Sequence, residues 1–121
     1  MICRLVRLIC LGITHLLLPS CGSSLIPVLP TLLVVLSPSL VVLDLSSNDL
    51  SFIPAALQRC TALEELNLSG NPLRHLPAWV GGLVSLRMLV VDGCELQNVP
   101  QEVSQLTSLH TLCGEQIYRR R

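Results

Sequence analysis

Aromatic residues and lysine are scarce or missing in this chain of 121 residues. Phe, Tyr and Trp occur once each, so aliphatic side chains must build the core in thin layers rather than around large rings. Lysine does not occur, and eight basic residues, all arginine, balance eight acidic ones to a formal net charge of zero. No basic face is visible apart from Arg119-Arg120-Arg121, which we interpret as a solvated tail. The composition therefore does not favour a nucleic-acid-binding protein.

Charge is missing from one whole region. Residues 8–43 contain no Asp, Glu, Lys or Arg, and every acidic residue lies at or after Asp44. The chain is long enough for one small domain. Its two compositional halves meet near residues 37–39.

The residue patterns of catalytic and metal sites are also missing. Six cysteines form no C-x-x-C pair, and no histidine has a partner at the spacing of a triad or a metal site. Glu64 and Glu65 are adjacent, which does not make a general acid/base pair of defined spacing. We expect no catalytic residue, no metal and no cofactor. We also expect free, buried thiols at Cys60 and Cys94, which favour a reducing, cytoplasmic location.

What the chain does have is an internal period of 23 residues. The period is marked by Leu40, Leu63, Leu86 and Leu109. Aligned on them, the segments follow L-x-x-L-x-L-x-x-N-x-L-x-x-L-P-x-x-L-x-x-L-x-x, with aliphatic or cysteine replacements. Three full copies begin at 40, 63 and 86, and a fourth begins at 109. Agreement at nine positions in three copies is too extensive for chance.

Each copy changes its periodicity halfway. Alternating apolar residues, such as Leu43 and Leu45 around Asp44, predict a short strand with one buried side. Later in the copy the apolar residues fall three apart, as in Leu57 and Cys60, which suits a helical or 3₁₀ turn. A proline begins each of these turns, where a missing N–H is tolerated best.

This pattern resembles the leucine-rich repeat family over residues 40–112. The resemblance implies an α/β repeat solenoid, with short parallel strands on the concave side and helical or 3₁₀ turns on the convex side. The second half of the repeat, L-P-x-x-h-x-x-L, where h is a hydrophobic residue, is similar to that of the intracellular signalling subclass. This subclass includes Ras-suppressor and Ras-pathway scaffold proteins. The Asn position of the repeat predicts a buried ladder that satisfies backbone groups of neighbouring turns. The ladder residues are Asn48, Asn71 and Cys94.

Both ends depart from the repeat. Residues 1–24 have the outline of a signal peptide, with Arg4 and Arg7 before an apolar run; the alternative is an apolar stretch that is poorly ordered or caps the repeats. Residues 25–39 are predicted to be a degenerate half-repeat. Its first half is expected to be lost, because Pro19 and Cys21 fall where strand leucines belong. Residues 113–121 are predicted to be a non-repeat basic tail, and the array looks incomplete.

The residues between the strand leucines form the predicted partner-binding face. They are Asp44, Ser46, Glu64, Glu65, Asn67, Arg87, Met88, Val90 and Asp92. This mixed, weakly charged surface favours a protein partner over DNA or lipid. Our first hypothesis is an intracellular signalling scaffold or adaptor; the family resemblance implies a small GTPase or a kinase-pathway component as partner. The alternatives are a secreted or membrane-tethered recognition protein, directed by residues 1–24, and a fragment of a larger enzyme that carries such repeats.

Overall fold

The computed structural model describes residues 14–22, 26–37, 39–97, 99–106 and, for the backbone, 111–113. Its strands form one parallel sheet in chain order. They are β1 (His15–Leu17), β2 (Val42–Asp44), β3 (Glu65–Asn67), β4 (Met88–Val90) and β5 (Thr111–Cys113). The predicted solenoid with parallel strands and short helical turns is confirmed. The expectations for residues 1–13 and for the Arg119-Arg120-Arg121 tail lie outside the described residues.

The strand leucines align in register across the sheet. Leu16 pairs with Leu43, Leu43 with Leu66, and Leu66 with Leu89. Their side chains are buried, whereas the residues on either side of them point away from the core. Because side chains alternate along a strand, one buried leucine per strand leaves two positions facing the open side of the sheet.

Among the described residues, the side opposite the sheet, here called the convex side, carries an α-helix followed by three short 3₁₀ helices. They are α1 (Leu29–Leu36), η1 (Ala55–Arg59), η2 (Ala78–Gly82) and η3 (Gln101–Gln105). Each 3₁₀ helix begins directly after a proline of the repeat. In η1 the Leu57 N–H donates to the Pro54 carbonyl and the Cys60 N–H donates to the Leu57 carbonyl. This bonding explains the three-residue spacing of the apolar residues.

The core between the sheet and the convex turns is almost entirely leucine. Its largest fully buried side chains are Leu29, Leu33, Leu40, Leu43, Leu45, Leu57, Leu63, Leu66, Leu68, Leu73, Leu83 and Leu86. This matches the expected aliphatic layers. Neighbouring turns come very close at Gly81 of η2, where a Cβ atom would collide with the backbone carbonyl of Glu102 on η3. Glycine therefore allows these two 3₁₀ helices to pack together.

The repeat that precedes Leu40, here called the first repeat, differs from the sequence-based expectation. Its strand half is present as β1, with Leu16 in register with Leu43, and Cys21 lies at the ladder position. The described residues therefore follow Leu16-x-Leu18-x-x-Cys21, and the expectation that Pro19 and Cys21 occupy strand-leucine positions was wrong. The fixed period missed it because Leu16 and Leu43 are 27 residues apart, whereas Leu43 and Leu66 are 23 apart.

The four additional residues lie on the convex side of this first repeat. Cys21 precedes Pro30 by nine positions, against six from Asn48 to Pro54, and Pro30 precedes Leu40 by ten, against nine from Pro54 to Leu63. The longer segment forms α1, whose Leu29, Leu33 and Leu36 are buried. Among the described residues, no helix combines the length and the apolar character that crossing a membrane requires.

The concave sheet face as a candidate binding site

The predicted ladder holds the ends of neighbouring strands together. The Asn71 amide donates from Nδ2 to the carbonyls of Leu45, 2.9 Å away, and Leu68, also 2.9 Å away. Its Oδ1 accepts from the N–H groups of Asn48 and Leu50, at 2.8 Å and 3.1 Å. A single buried side chain therefore satisfies backbone groups of two consecutive repeats.

Asn48 makes the same link one repeat earlier. It donates to the Leu18 carbonyl at 2.7 Å, and its Oδ1 accepts from the Cys21 N–H at 2.6 Å. Both asparagines are fully buried. No buried side-chain nitrogen or oxygen of the described residues lacks a hydrogen-bond partner. Ladder and core thus form a rigid support for the sheet.

Cys94 takes the ladder position in the next repeat. Its thiol donates to the Leu68 carbonyl at 3.2 Å. Burial raises the pKa of the Cys94 thiol; the Asn71 N–H lowers it, the Asp92 charge raises it, and the Leu73 N–H lowers it. The sulfur therefore faces the N–H groups of Asn71 and Leu73. An asparagine at this position would accept hydrogen bonds from the same two groups.

The open side of the sheet carries two rows of side chains, each crossing four strands. The first row is His15, Val42, Glu65 and Met88. The second row is Leu17, Asp44, Asn67 and Val90. Leu17 is 61 % exposed and Met88 is 36 % exposed, so two large apolar side chains lie in solvent on a sheet face.

Polar residues of the second row are fixed by the turns that follow them. The Ser46 N–H donates to Asp44 Oδ1 at 2.9 Å, and the Ser69 N–H donates to Asn67 Oδ1 at 3.0 Å. The Ser69 hydroxyl donates to the same Asn67 oxygen at 2.7 Å. These local bonds orient the two side chains in advance of any partner.

The margin of the face, just before the strands, carries an ion pair. Arg87 Nη1 lies 3.6 Å from Glu64 Oε1, and both side chains are largely exposed. Exposed ion pairs contribute little to stability. This pair therefore matters mainly for the distribution of charge on the face. Arg87 pairs with Glu64, and no ion pair of Arg87 with Asp44 or Glu65 occurs among the described residues.

The nine predicted face residues divide into three groups. Asp44, Glu65, Asn67, Met88 and Val90 lie on the sheet face itself, Glu64 and Arg87 lie at the margin before it, and Ser46 and Asp92 lie in the turns after it. Their contact with a partner stays a prediction. Leu17 and His15 were missed because β1 was missed, although Leu16-x-Leu18-x-x-Cys21 repeats the half-motif that ends in Cys94.

No arrangement typical of an enzyme or metal site is seen in the part of the chain that the structure describes. No group of three His, Cys, Asp or Glu residues there is placed to hold a metal ion. Cys60 and Cys94 are buried free thiols, and burial raises the pKa of Cys60 to about 11. A thiol that stays protonated at neutral pH is a poor nucleophile.

Comparison with known proteins agrees with the repeat geometry. Residues 38–96 match the model of the leucine rich repeat family. The parallel sheet and the asparagine ladder agree with this match, which shows that residues 38–96 are similar to leucine-rich repeats. Such domains generally act as protein-binding modules, and no catalytic family is indicated.

A solved structure with this architecture comes from a leucine-rich repeat protein of Leptospira interrogans. It is 34 % identical to the chain, covers 69 % of it and superimposes with a TM-score of 0.65. The chain spans only about a fifth of that protein, since 21 % of its length is covered. A search of curated proteins found no match.

Proposed function

We propose that this chain binds a protein partner on the concave sheet face, formed by the two rows from His15 to Met88 and from Leu17 to Val90. The observation that carries the proposal is the exposure of Leu17 and Met88 on a sheet whose backbone is held by buried amides. A backbone that is already ordered limits the conformational entropy lost on binding, and covering the exposed apolar side chains removes apolar surface from water.

We further propose that the chain is an intracellular scaffold or adaptor in a signalling pathway. Two features support this. Cys60 and Cys94 are free thiols inside the core, which suits a reducing compartment. The L-P-x-x-h-x-x-L half of each repeat is similar to that of Ras-pathway scaffolds. A small GTPase or a kinase-pathway component is therefore the proposed partner, and the cytoplasm the proposed location.

Site-specific photo-crosslinking tests the face. A photoreactive amino acid is placed at Met88, and a matched control carries it at Gln58, which is exposed on the convex helix η1. The protein captured at Met88 is then purified, and its affinity is measured for the wild type, for Glu65→Arg and for Arg87→Glu. We expect capture at Met88 only, weaker binding by Glu65→Arg and an altered affinity in Arg87→Glu, with unchanged circular dichroism. Equal capture at Gln58, or affinity unchanged by both reversals, would show that the partner binds elsewhere.

A further inference from the structure

The second row of the concave face has a pattern along the solenoid axis that specifies its partner further. Over the first four strands it runs apolar, acidic, amide, apolar through Leu17, Asp44, Asn67 and Val90, and β5 continues the backbone register with Cys113 beside Val90. Glu65 adds a second carboxylate on the neighbouring row, diagonal to Asp44, between Val42 and Met88. Apolar positions on both sides, Leu17 on β1 and Val90 with Met88 on β4, therefore flank an acidic centre.

In the part of the chain that the structure describes, the acidic centre has no cation paired with it. Arg87 is paired with Glu64 at 3.6 Å, and no ion pair to Asp44 or Glu65 occurs among the described residues. A partner that reaches from Leu17 to Val90 must lie over Asp44 and beside Glu65. It then removes water from carboxylates flanked by apolar side chains, which is unfavourable unless it supplies a positive charge.

The spacing of the row indicates the conformation of the bound segment. Adjacent strands are about 4.8 Å apart, so Leu17 and Val90 are about 14 Å apart across three intervals. In an extended chain, residues i and i+4 are about 13 Å apart and share one face with residue i+2. In an α-helix, same-face residues lie about 10.5 Å apart at i+7 and about 16.5 Å apart at i+11, and both match less well.

We infer that the concave face recognises an extended segment of a protein partner with an apolar residue, a basic residue and an apolar residue at positions i, i+2 and i+4. This inference rests on the proposed function. The apolar residues contact Leu17 at one end and Val90 with Met88 at the other. The basic residue lies between Asp44 and Glu65.

The test selects ligands from a phage-displayed library of random 12-residue peptides on the full chain. Enriched peptides are synthesised, and their affinities are measured for the wild type and for the double variant Asp44→Asn/Glu65→Gln. Both substitutions remove charge at nearly constant shape. Asp44→Asn also retains the bond from the Ser46 N–H, because Asn67 makes the same bond to Ser69 in the next repeat. The matched control is Glu95→Gln, an exposed carboxylate outside the face.

We expect enriched peptides with Lys or Arg flanked by apolar residues two positions away on each side. Their affinity should fall about tenfold or more in the double variant, stay unchanged in Glu95→Gln, and decrease with added salt. Replacing the central basic residue of the peptide by its uncharged analogue should cause a similar loss.

The possible contrary results separate the inference from the proposed function. Peptides weakened by Leu17→Ser and Met88→Ser, but not by the double variant, would overturn the acidic specificity and leave protein binding intact. An absence of enriched peptides would overturn the extended segment, while the crosslinking experiment still tests the face. Peptides insensitive to all these substitutions would contradict both. Self-association that Glu65→Gln abolishes would assign the face to a second copy and overturn the inference.

Discussion

Asn71 and Cys94 occupy equivalent positions in neighbouring repeats, yet they connect their repeats very differently. The Asn71 amide donates to two carbonyls and accepts from two N–H groups, all within 3.1 Å. Cys94 makes one donation to the Leu68 carbonyl. The sheet nevertheless continues in register from β3 to β4. The leucine core and the strand hydrogen bonds therefore maintain the solenoid, and the amide adds a cross-link that the thiol only partly replaces.

Removing the Asn71 amide should cause the largest loss of stability among the variants of the ladder and its turns. Asn71→Ala removes the partner of the Leu45 carbonyl and of the Asn48 and Leu50 N–H groups, and leaves the Leu68 carbonyl only the Cys94 thiol, so we expect a loss of about 3 kcal/mol in the free energy of unfolding. Cys94→Ala removes one weaker bond and should cost about 1 kcal/mol. Urea denaturation followed by circular dichroism measures both. Equal losses would mean that the amide contributes no more than the thiol.

The second-largest loss of stability is expected at Gly70, in the turn before Asn71. Gly70 has a φ of +71°, and a Cβ atom there would lie 2.8 Å from Ser47 Oγ. Gly70→Ala should destabilise the fold by about 2 kcal/mol, because a non-glycine residue in this conformation costs about 1 kcal/mol or more and the contact adds to it. Ser47 is the equivalent residue one repeat earlier and itself has a φ of +56°.

The double variant Ser47→Gly/Gly70→Ala separates the two contributions. It removes the Ser47 hydroxyl, so the loss caused by Gly70→Ala in this background should be smaller than in the wild type. If the loss is the same in both backgrounds, the contact contributes nothing and the backbone conformation accounts for all of it.

Replacing the Cys94 thiol by an amide tests directly how much more an asparagine contributes at the ladder position. In Cys94→Asn, the new oxygen would lie where the N–H groups of Asn71 and Leu73 already face the sulfur. We expect stabilisation by about 1 kcal/mol, the net value of an additional buried hydrogen bond. Thermal unfolding measures it, with Cys94→Ser as the control for a smaller polar side chain. A lower melting temperature in Cys94→Asn would mean that the site is too tight for an amide.

The last effect is absent at neutral pH, and it concerns Cys60, a core thiol outside the ladder. Burial raises the pKa of Cys60 from 9.0 to about 11, so the unfolded chain releases this proton at a lower pH than the folded chain. The stability that Cys60 contributes is therefore fully present below about pH 9 and is lost as the pH rises towards 11. Unfolding measured from pH 7 to 11 should show this decline, and Cys60→Ala should show a smaller one. Identical slopes would assign the decline to other groups.

The fold was predictable over residues 40–112 because its signal is repeated. Every copy places leucines at the same spacing, so replacements such as Cys60 or Val80 did not obscure the pattern. The first repeat was misassigned from the same signal, since its 27-residue length breaks a fixed period of 23. Leu17 was missed with it, although its exposure makes it one of the most prominent residues of the face.

The candidate site was predictable only in part. Alternation along a strand indicates which residues face away from the core, and it selected Glu65, Asn67 and Met88 correctly as surface positions. It does not show which exposed charges neutralise one another. The pairing of Arg87 with Glu64 depends on the lateral arrangement of adjacent strands, and that pairing leaves Asp44 and Glu65 as the acidic centre.

The amino-acid sequence by itself determined the repeat, the buried leucines and the positions of the ladder, because these depend on spacing along one chain and on the chemistry of single side chains. The tertiary structure alone decided the length of the first repeat, its α-helix and the alignment of residues into rows across the sheet. Rows form through hydrogen bonds between segments more than 20 residues apart. No short segment of the sequence therefore determines the order of residues along the solenoid axis.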